Sequence, residues 1–273
     1  MSFTKLYLTK LTAGYEPPTF RGAWDQTTGA ITRQLSPQRD GGGVLSQHQV
    51  AESSATLNWD MLCYRGVSQP LAAQTISGTI NVVLSIWESF TSDNCVFHVH
   101  VYVTQGDSDT PRGTLLSDFV DSSEFAGGRT GKAFTSAQTL SSLAISDGDR
   151  IVVEIGAQAQ NTKTSGAFCN LDVGTQCAQG GVLTPDLTVG SNLGLNNPGY
   201  IVFSNAISEP VLESRASQFA AEPVTGGVSP SRASQFVAEP VTGEIAPQRF
   251  SQFVVEVISK AEARRGRNVF IVT

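Results

Sequence analysis

The chain predicts an all-β fold: a jelly-roll-like two-sheet β-sandwich followed by a C-terminal segment of tandem strand repeats. Three observations lead there. Apolar residues recur with period two, or in short runs bounded by turn residues, and no stretch holds a helical period. Charged residues make up only 15% of the 273, Gly is plentiful at 26, and an apolar fraction of 40% is ample for a core; this is the composition of short strands and tight turns. Finally, one seventeen-residue phrase closes the chain three times, and repeated units mean repeated contacts.

Taken in order, strands are predicted over 3–8, 30–35, 56–67, 74–87, 95–104, 114–120, 150–157 and 199–204. Ile80, Val82, Leu84 and Ile86 define one apolar face, and Phe97, Val99, Val101 and Val103 another. Turn signals separate them: Gln105-Gly106-Asp107, Ser146-Asp147-Gly148-Asp149 and Asn196-Asn197-Pro198-Gly199. The stretch 37–49, with Gly41-Gly42-Gly43 and little apolar content, predicts an exposed loop or arm, and 121–137 and 158–198 predict long connections. Strands on this scale suit a jelly roll better than a propeller. The predicted division is a sandwich body over 1–205 and docking strands of period 17 over 206–273.

The copies start at Arg215, Arg232 and Arg249. The first two agree at twelve of seventeen positions, and the third keeps Arg249, Ser251, Gln252, Phe253 and Glu256 in register. Phe219 and Ala221 fall on one strand face, Gln218 and Glu222 on the other. Pro223 and Pro240 remove a backbone donor and restrict those copies to sheet edges, whereas the third reads apolar on both faces apart from Glu256. A lone strand cannot bury its own apolar face, so each copy must dock on the body, a sister copy or another subunit. The predicted docking residues are Arg215, Ser217, Gln218, Phe219 and Glu222; Arg232, Ser234, Gln235, Phe236 and Glu239; and Arg249, Ser251, Gln252, Phe253 and Glu256. The Phe residues fill repeated pockets, and the Arg and Glu residues form directional pairs at the rims.

Net charge is −6, and the first 205 residues carry it, with eleven Lys or Arg against seventeen Asp or Glu, so nucleic acid is not an expected partner. No apolar run approaches the roughly 20 residues a bilayer needs, and MSFTKLYLTK lacks a secretory apolar core, which predicts a soluble chain without membrane insertion. Cys63, Cys95, Cys169 and Cys177 have no metal-finger spacing and predict buried thiols, with a Cys169–Cys177 disulfide as the alternative. His98 and His100 share a strand face and could present two imidazoles to a metal. A third ligand is missing, His48 lying in the glycine-rich arm, so no metal and no cofactor is expected. Asp107 and Asp109 read as a hairpin turn. Carboxylates Asp118, Asp121, Glu124 and Glu154 form no diagnostic pair, and there is no nucleophile elbow, phosphate loop or zinc-protease motif. Trp24, Trp59, Trp87, Tyr64 and Tyr102 read as core fillers, with sugar stacking as the alternative.

The strings KLYLTKLTAGYEPPTFRGAWDQTTGAITRQLSP, QTISGTINVVLSIWES, HVHVYVTQGDSDTPRGTLLSDFVDSSEF and LAISDGDRIVVEIGAQAQN resemble a family of virion-associated proteins of tailed bacteriophages, over most of residues 3–204. The RxSQFxxEV phrase is similar to short terminal repeats of phage structural proteins. The resemblance implies a particle component, made in the host cytoplasm and located on the virion, with other capsid or tail proteins and copies of itself as partners. It carries no catalytic residue across. The expected function is a non-enzymatic structural or decoration protein held by its C-terminal strands. The alternatives are a carbohydrate-binding adsorption module of a tail or head fibre that takes a host glycan, and an enzyme acting on surface polysaccharide.

Overall fold

A computed structural model of the chain describes residues 2–39, 46–163, 168–173, 186–190 and 198–210. The chain divides after Arg215 into two units, and the second lies outside the described residues, as do all fifteen predicted docking residues from Arg215 to Glu256.

The described residues are all-β, as expected. Fourteen strands run in order: β1 Ser2–Leu8, β2 Ile31–Ser36, β3 Ser46–Ala51, β4 Trp59–Val67, β5 Gln74–Ile76, β6 Thr79–Glu88, β7 Cys95–Thr104, β8 Pro111–Glu124, β9 Gly131–Ala133, β10 Gln138–Thr139, β11 Leu143–Ile145, β12 Arg150–Ala159, β13 Phe168–Val173 and β14 Tyr200–Ser208. Twelve form one mixed sheet in the order β3-β13-β6-β14-β1-β2-β4-β12-β7-β8, with β9 and β10 on β6; β5 and β11 make a second, two-stranded sheet. The described strands thus make two sheets, one large and mixed and one of two strands. All pairings between strands are antiparallel except β2 with β4. Among the described residues no helix is long and apolar enough to cross a membrane.

The predicted apolar faces make the core. Ile80, Val82, Leu84 and Ile86 of β6 and Phe97, Val99, Val101 and Val103 of β7 are buried in one hydrophobic cluster, joined by Ile151, Val153 and Ile155 of β12. The predicted strand 74–87 breaks in two at Gly78. Its φ of 92° is a conformation side chains rarely adopt, and a Cβ there would lie 2.3 Å from Ser204 Oγ. Strands occupy parts of two predicted irregular stretches: β3 begins inside 37–49 and runs past it, β13 lies inside 158–198, and the two pair with each other. β14 runs on to Ser208, past the predicted end at 204; its first half pairs with both β1 and β6, and Ile207 and Ser208 pair with β1.

β7 is buried at every position and β12 at nearly every one. One face of these strands is the core. The other carries His98, His100, Tyr102, Val152, Glu154 and Gly156, and is covered by residues 11–30, which form no strand and lie across the sheet as a strap. Ala13 of the strap packs with Val67, Tyr102 and Val152 in a small second cluster. Phe20 lies under the Arg65 guanidinium at 4.3 Å.

Candidate functional site

The strap is fastened by one carboxylate. Glu154 is fully buried and accepts hydrogen bonds from the backbone N–H of Arg21 (3.1 Å) and Gly22 (2.8 Å), from Trp24 Nε1 (2.7 Å) and from the Tyr102 hydroxyl (3.4 Å). A buried carboxylate must be satisfied in this way, and here all the donors but Tyr102 come from the strap itself. Burial, then Glu154, push the Tyr102 phenol far up, which keeps it a neutral donor.

Trp24 reaches this position because the opposing residue has no side chain. Gly156 pairs with His98 across the β12–β7 ladder, and a Cβ on it would stand 2.0 Å from Met61 O and 2.7 Å from Trp24 Cζ3. In that slot the indole lies against the His98 imidazole, ring centroids 4.2 Å apart.

His98 and His100, two apart on β7, share a face as the spacing predicts, and carboxylates from two other strands meet them. His98 Nδ1 lies 2.6 Å from Asp60 Oδ1 of β4, and His98 Nε2 3.4 Å from Asp118 Oδ1 of β8. Only a doubly protonated ring donates to both. Asp118 Oδ1 also lies 3.1 Å from His100 Nδ1 and accepts from Ala23 N–H at 2.9 Å.

Asp118 arrives there by a bulge. Val99 pairs with Phe119 and Val101 with Leu116, so Ser117 and Asp118 both stand opposite His100. Asp118 takes up the extra residue at φ 39°, a left-handed conformation Asp tolerates better than most, and its carboxylate is thereby turned back over β7. Partial burial pushes the Asp118 carboxyl up. The Ala23 N–H and the two imidazoles more than reverse that and hold it below the usual carboxylate range.

His100 is the member of this row with chemistry to spare. Its side chain is only 6% exposed, and no hydrogen bond to Nε2 is found among the described residues. Nδ1 faces two groups, the Asp118 carboxylate at 3.1 Å and the Asp118 N–H at 3.4 Å, which ask for opposite tautomers. The contact to the charged acceptor is the shorter of the two, and with the proton on Nδ1 a neutral ring carries its lone pair on Nε2. Ser117 Oγ lies 3.3 Å from Asp118 Oδ2, so the nearby hydroxyl is tied to the carboxylate and not to the imidazole.

The other sequence candidates scatter. Asp121 is buried and caps Ser122 and Thr135 N–H, and Glu124 is exposed at the end of β8. Asp107 and Asp109 lie in the β7–β8 hairpin turn, as expected, where they pair with Arg150 and Arg21. Tyr64 and Tyr102 are buried; Trp59 donates to Gln26, and Trp87 stacks under Arg129. Cys63, Cys95 and Cys169 are buried free thiols. The Cys63 thiol, then burial, push Cys169 well above its usual range, and Cys177 lies outside the described residues. His98 and His100 commit three ring nitrogens to carboxylates, and among the described residues no group of three or more His, Cys, Asp or Glu is gathered as metal ligands would be. Sequence reasoning paired the histidines but missed Asp60, the Trp24 strap and the role of Asp118.

No family model matches the chain, and no curated protein does. Among solved structures, the chain is similar to an α-amino acid ester hydrolase at 14% identity and a TM-score of 0.36, covering 74% of this chain and 36% of that one. It is also similar to a CocE/NonD family hydrolase from Staphylococcus aureus at 12% identity and a TM-score of 0.23, covering 76% and 36%. The chain spans about a third of the length of these structures. Both are described as hydrolases, and the expectations of a non-enzymatic structural component and of a chain without enzymatic activity are corrected accordingly. A likeness of this degree transfers neither activity nor substrate.

Proposed function

We propose that the body of this chain is an acid–base hydrolase in which His100 takes a proton from water and Asp118 holds its imidazole in the required tautomer. The observation that carries this is a nearly buried imidazole whose Nδ1 is tied to a carboxylate while no hydrogen bond to its Nε2 is found among the described residues. A base within reach of its proton and oriented by a third group is the geometry general-base catalysis requires. Water is the nucleophile, because the Ser117 hydroxyl bonds Asp118 and not His100. An ester carbonyl suits the site better than a glycosidic bond. Glycoside cleavage needs a protonated carboxyl beside the leaving oxygen, whereas Asp118 is held low and Glu154 has its oxygens filled by strap donors.

The test is turnover of p-nitrophenyl esters of increasing acyl length by the full chain. His100→Gln is expected to lower kcat/KM by about 100-fold or more, with Asp118→Asn intermediate and both variants melting as folded proteins. Equal turnover by His100→Gln and the parent would refute the assignment, and so would ester cleavage no faster than free imidazole gives.

The large sheet is read as a jelly-roll-like sandwich because β6 and β7 drive their apolar faces into one core. The terminal repeats support a second, separate reading. Phe219, Phe236 and Phe253 recur at one position of the repeat, and with the resemblance of residues 3–204 to virion-associated proteins this favours other virion proteins and further copies of the chain as partners. Particles that keep full occupancy after deletion of 214–273 would show that attachment lies elsewhere.

A further inference from the structure

We propose that residues 19–24 of the strap form a lid, latched by Glu154 and Asp118, that opens as a unit to admit substrate to His100. Its effect on turnover rests on the reading of His100 as the base, whereas the opening itself does not. The side chain of His100 is 6% exposed, and a Cβ on Gly22 would stand 3.1 Å from His100 Cβ, so the strap backbone passes directly over it. An ester carbonyl and a water have no room beside such an imidazole while the strap is down. Something must move, and the hydrogen bonds mark which part.

Both ends of the strap are fixed through the backbone. Leu11 O accepts from Gln34 N–H at 2.9 Å. Asp25 and Gln26 N–H both donate to Asp60 O, at 3.0 and 2.9 Å, and Gln26 O accepts from Leu62 N–H at 2.8 Å. Among the described residues, no backbone-to-backbone bond joins 19–24 to the sheet. Each N–H that leaves this segment ends on a carboxylate: Thr19 on Asp109 (3.3 Å), Arg21 and Gly22 on Glu154, and Ala23 on Asp118 (2.9 Å). Trp24 N–H turns back to Gly22 O at 2.9 Å, and its indole adds one more tie to Glu154. Release of the lid therefore breaks no strand ladder, and segments held in this way open locally at less cost than the strands beneath them. Because Asp118 serves both Ala23 and His100, closing the lid and orienting the base draw on one carboxylate.

Two measurements on the full chain follow the lid without any catalysis: amide hydrogen exchange at Arg21, Gly22 and Ala23, and carbethoxylation of His100 by diethyl pyrocarbonate, located by peptide mass spectrometry. The three amides are expected to share one protection factor, about tenfold or more below those of Val153 and Ile155 in the β12 ladder. His100 is expected to label about tenfold or more slowly than N-acetylhistidine. Trp24→Phe keeps a ring against His98 but removes the indole donor, and should raise exchange and labelling together by about tenfold. Turnover of p-nitrophenyl esters should rise in step, because only open molecules bind. Asp109→Ala frees Thr19 at the exposed edge of the lid and is the milder variant should Trp24→Phe melt early. His100→Gln tests the base and not the lid: if it turns over esters like the parent, the hydrolase reading fails, and exchange and labelling still decide the opening. The proposal is overturned if the three amides are as protected as β12 or if parental His100 labels like N-acetylhistidine. It is overturned equally if folded Trp24→Phe and Asp109→Ala both behave like the parent, or if turnover that requires His100 stays flat while labelling rises.

Discussion

Glu52, directly after β3, is 1% exposed, and both its carboxylate oxygens are buried without a partner. Burial pushes it up to about 7, Asp93 adds to the shift and Lys163 works against it. The sign follows from where the proton sits. Between the ordinary value of 4.5 and about 7, the folded chain keeps a proton that the unfolded chain has released, so stability falls as pH rises through that window and the loss is complete above it. A shift of this size is worth about 3 kcal/mol. Glu52→Gln removes the titration while keeping the shape. It should melt with the parent at pH 5 and higher than the parent at pH 8, by roughly 6–12 °C for a body of this length. Thermal melts followed by circular dichroism across pH 5–8 measure the difference. A gap that is the same at both ends of the range, or absent at both, would refute the reasoning. Glu88, fully buried with one oxygen unpartnered and the other accepting from Cys95 N–H at 2.8 Å, is also raised to about 7, so Glu88→Gln should remove a second part of the slope.

Gly156→Ala should cost about 3 kcal/mol or more in denaturant unfolding, because the new methyl meets Met61 backbone oxygen and no side-chain movement can relieve it. Trp24→Leu leaves the buried Glu154 one donor short and should cost about 2–3 kcal/mol; hydrogen exchange at Arg21, Gly22 and Ala23 should accelerate before that of β12. Cys63, Cys95 and Cys169 should resist iodoacetamide in the native protein and label fully in guanidinium, as peptide mapping would report.

What the sequence discloses is local. The bounds of β7 and the core faces of β6 and β7 were legible because alternation persists over four apolar positions in each. β3, reading Ser-Gln-His-Gln-Val-Ala, buries only Val50 and has no periodicity to see; its pairing with β13 makes it a strand. β13 alternates Cys169, Leu171 and Val173 into the core, but it puts Asn170 and Asp172 in buried positions opposite, so its pattern looked too polar. At the candidate site, the shared face of His98 and His100 follows from a spacing of two. Asp60 and Asp118 come from β4 and β8, and only the register and the bulge, set by distant pairing, bring them in. The strap has no periodicity at all, and its course depends on a carboxylate more than a hundred residues downstream.

β1 is hydrogen-bonded along its length to β14, Leu6 opposite Ile201 and Tyr7 opposite Tyr200, so the earliest and latest strands of the body are sheet neighbours. On the ribosome β1 must wait with a bare edge until almost two hundred further residues have emerged, which makes closure a late and slow event and leaves nascent chains open to mispairing. A chain arrested ahead of Tyr200 would therefore expose β1 and β6 side by side across a missing strand. That gap is a natural place for a chaperone, or for a synthetic peptide copied from β14, to intervene.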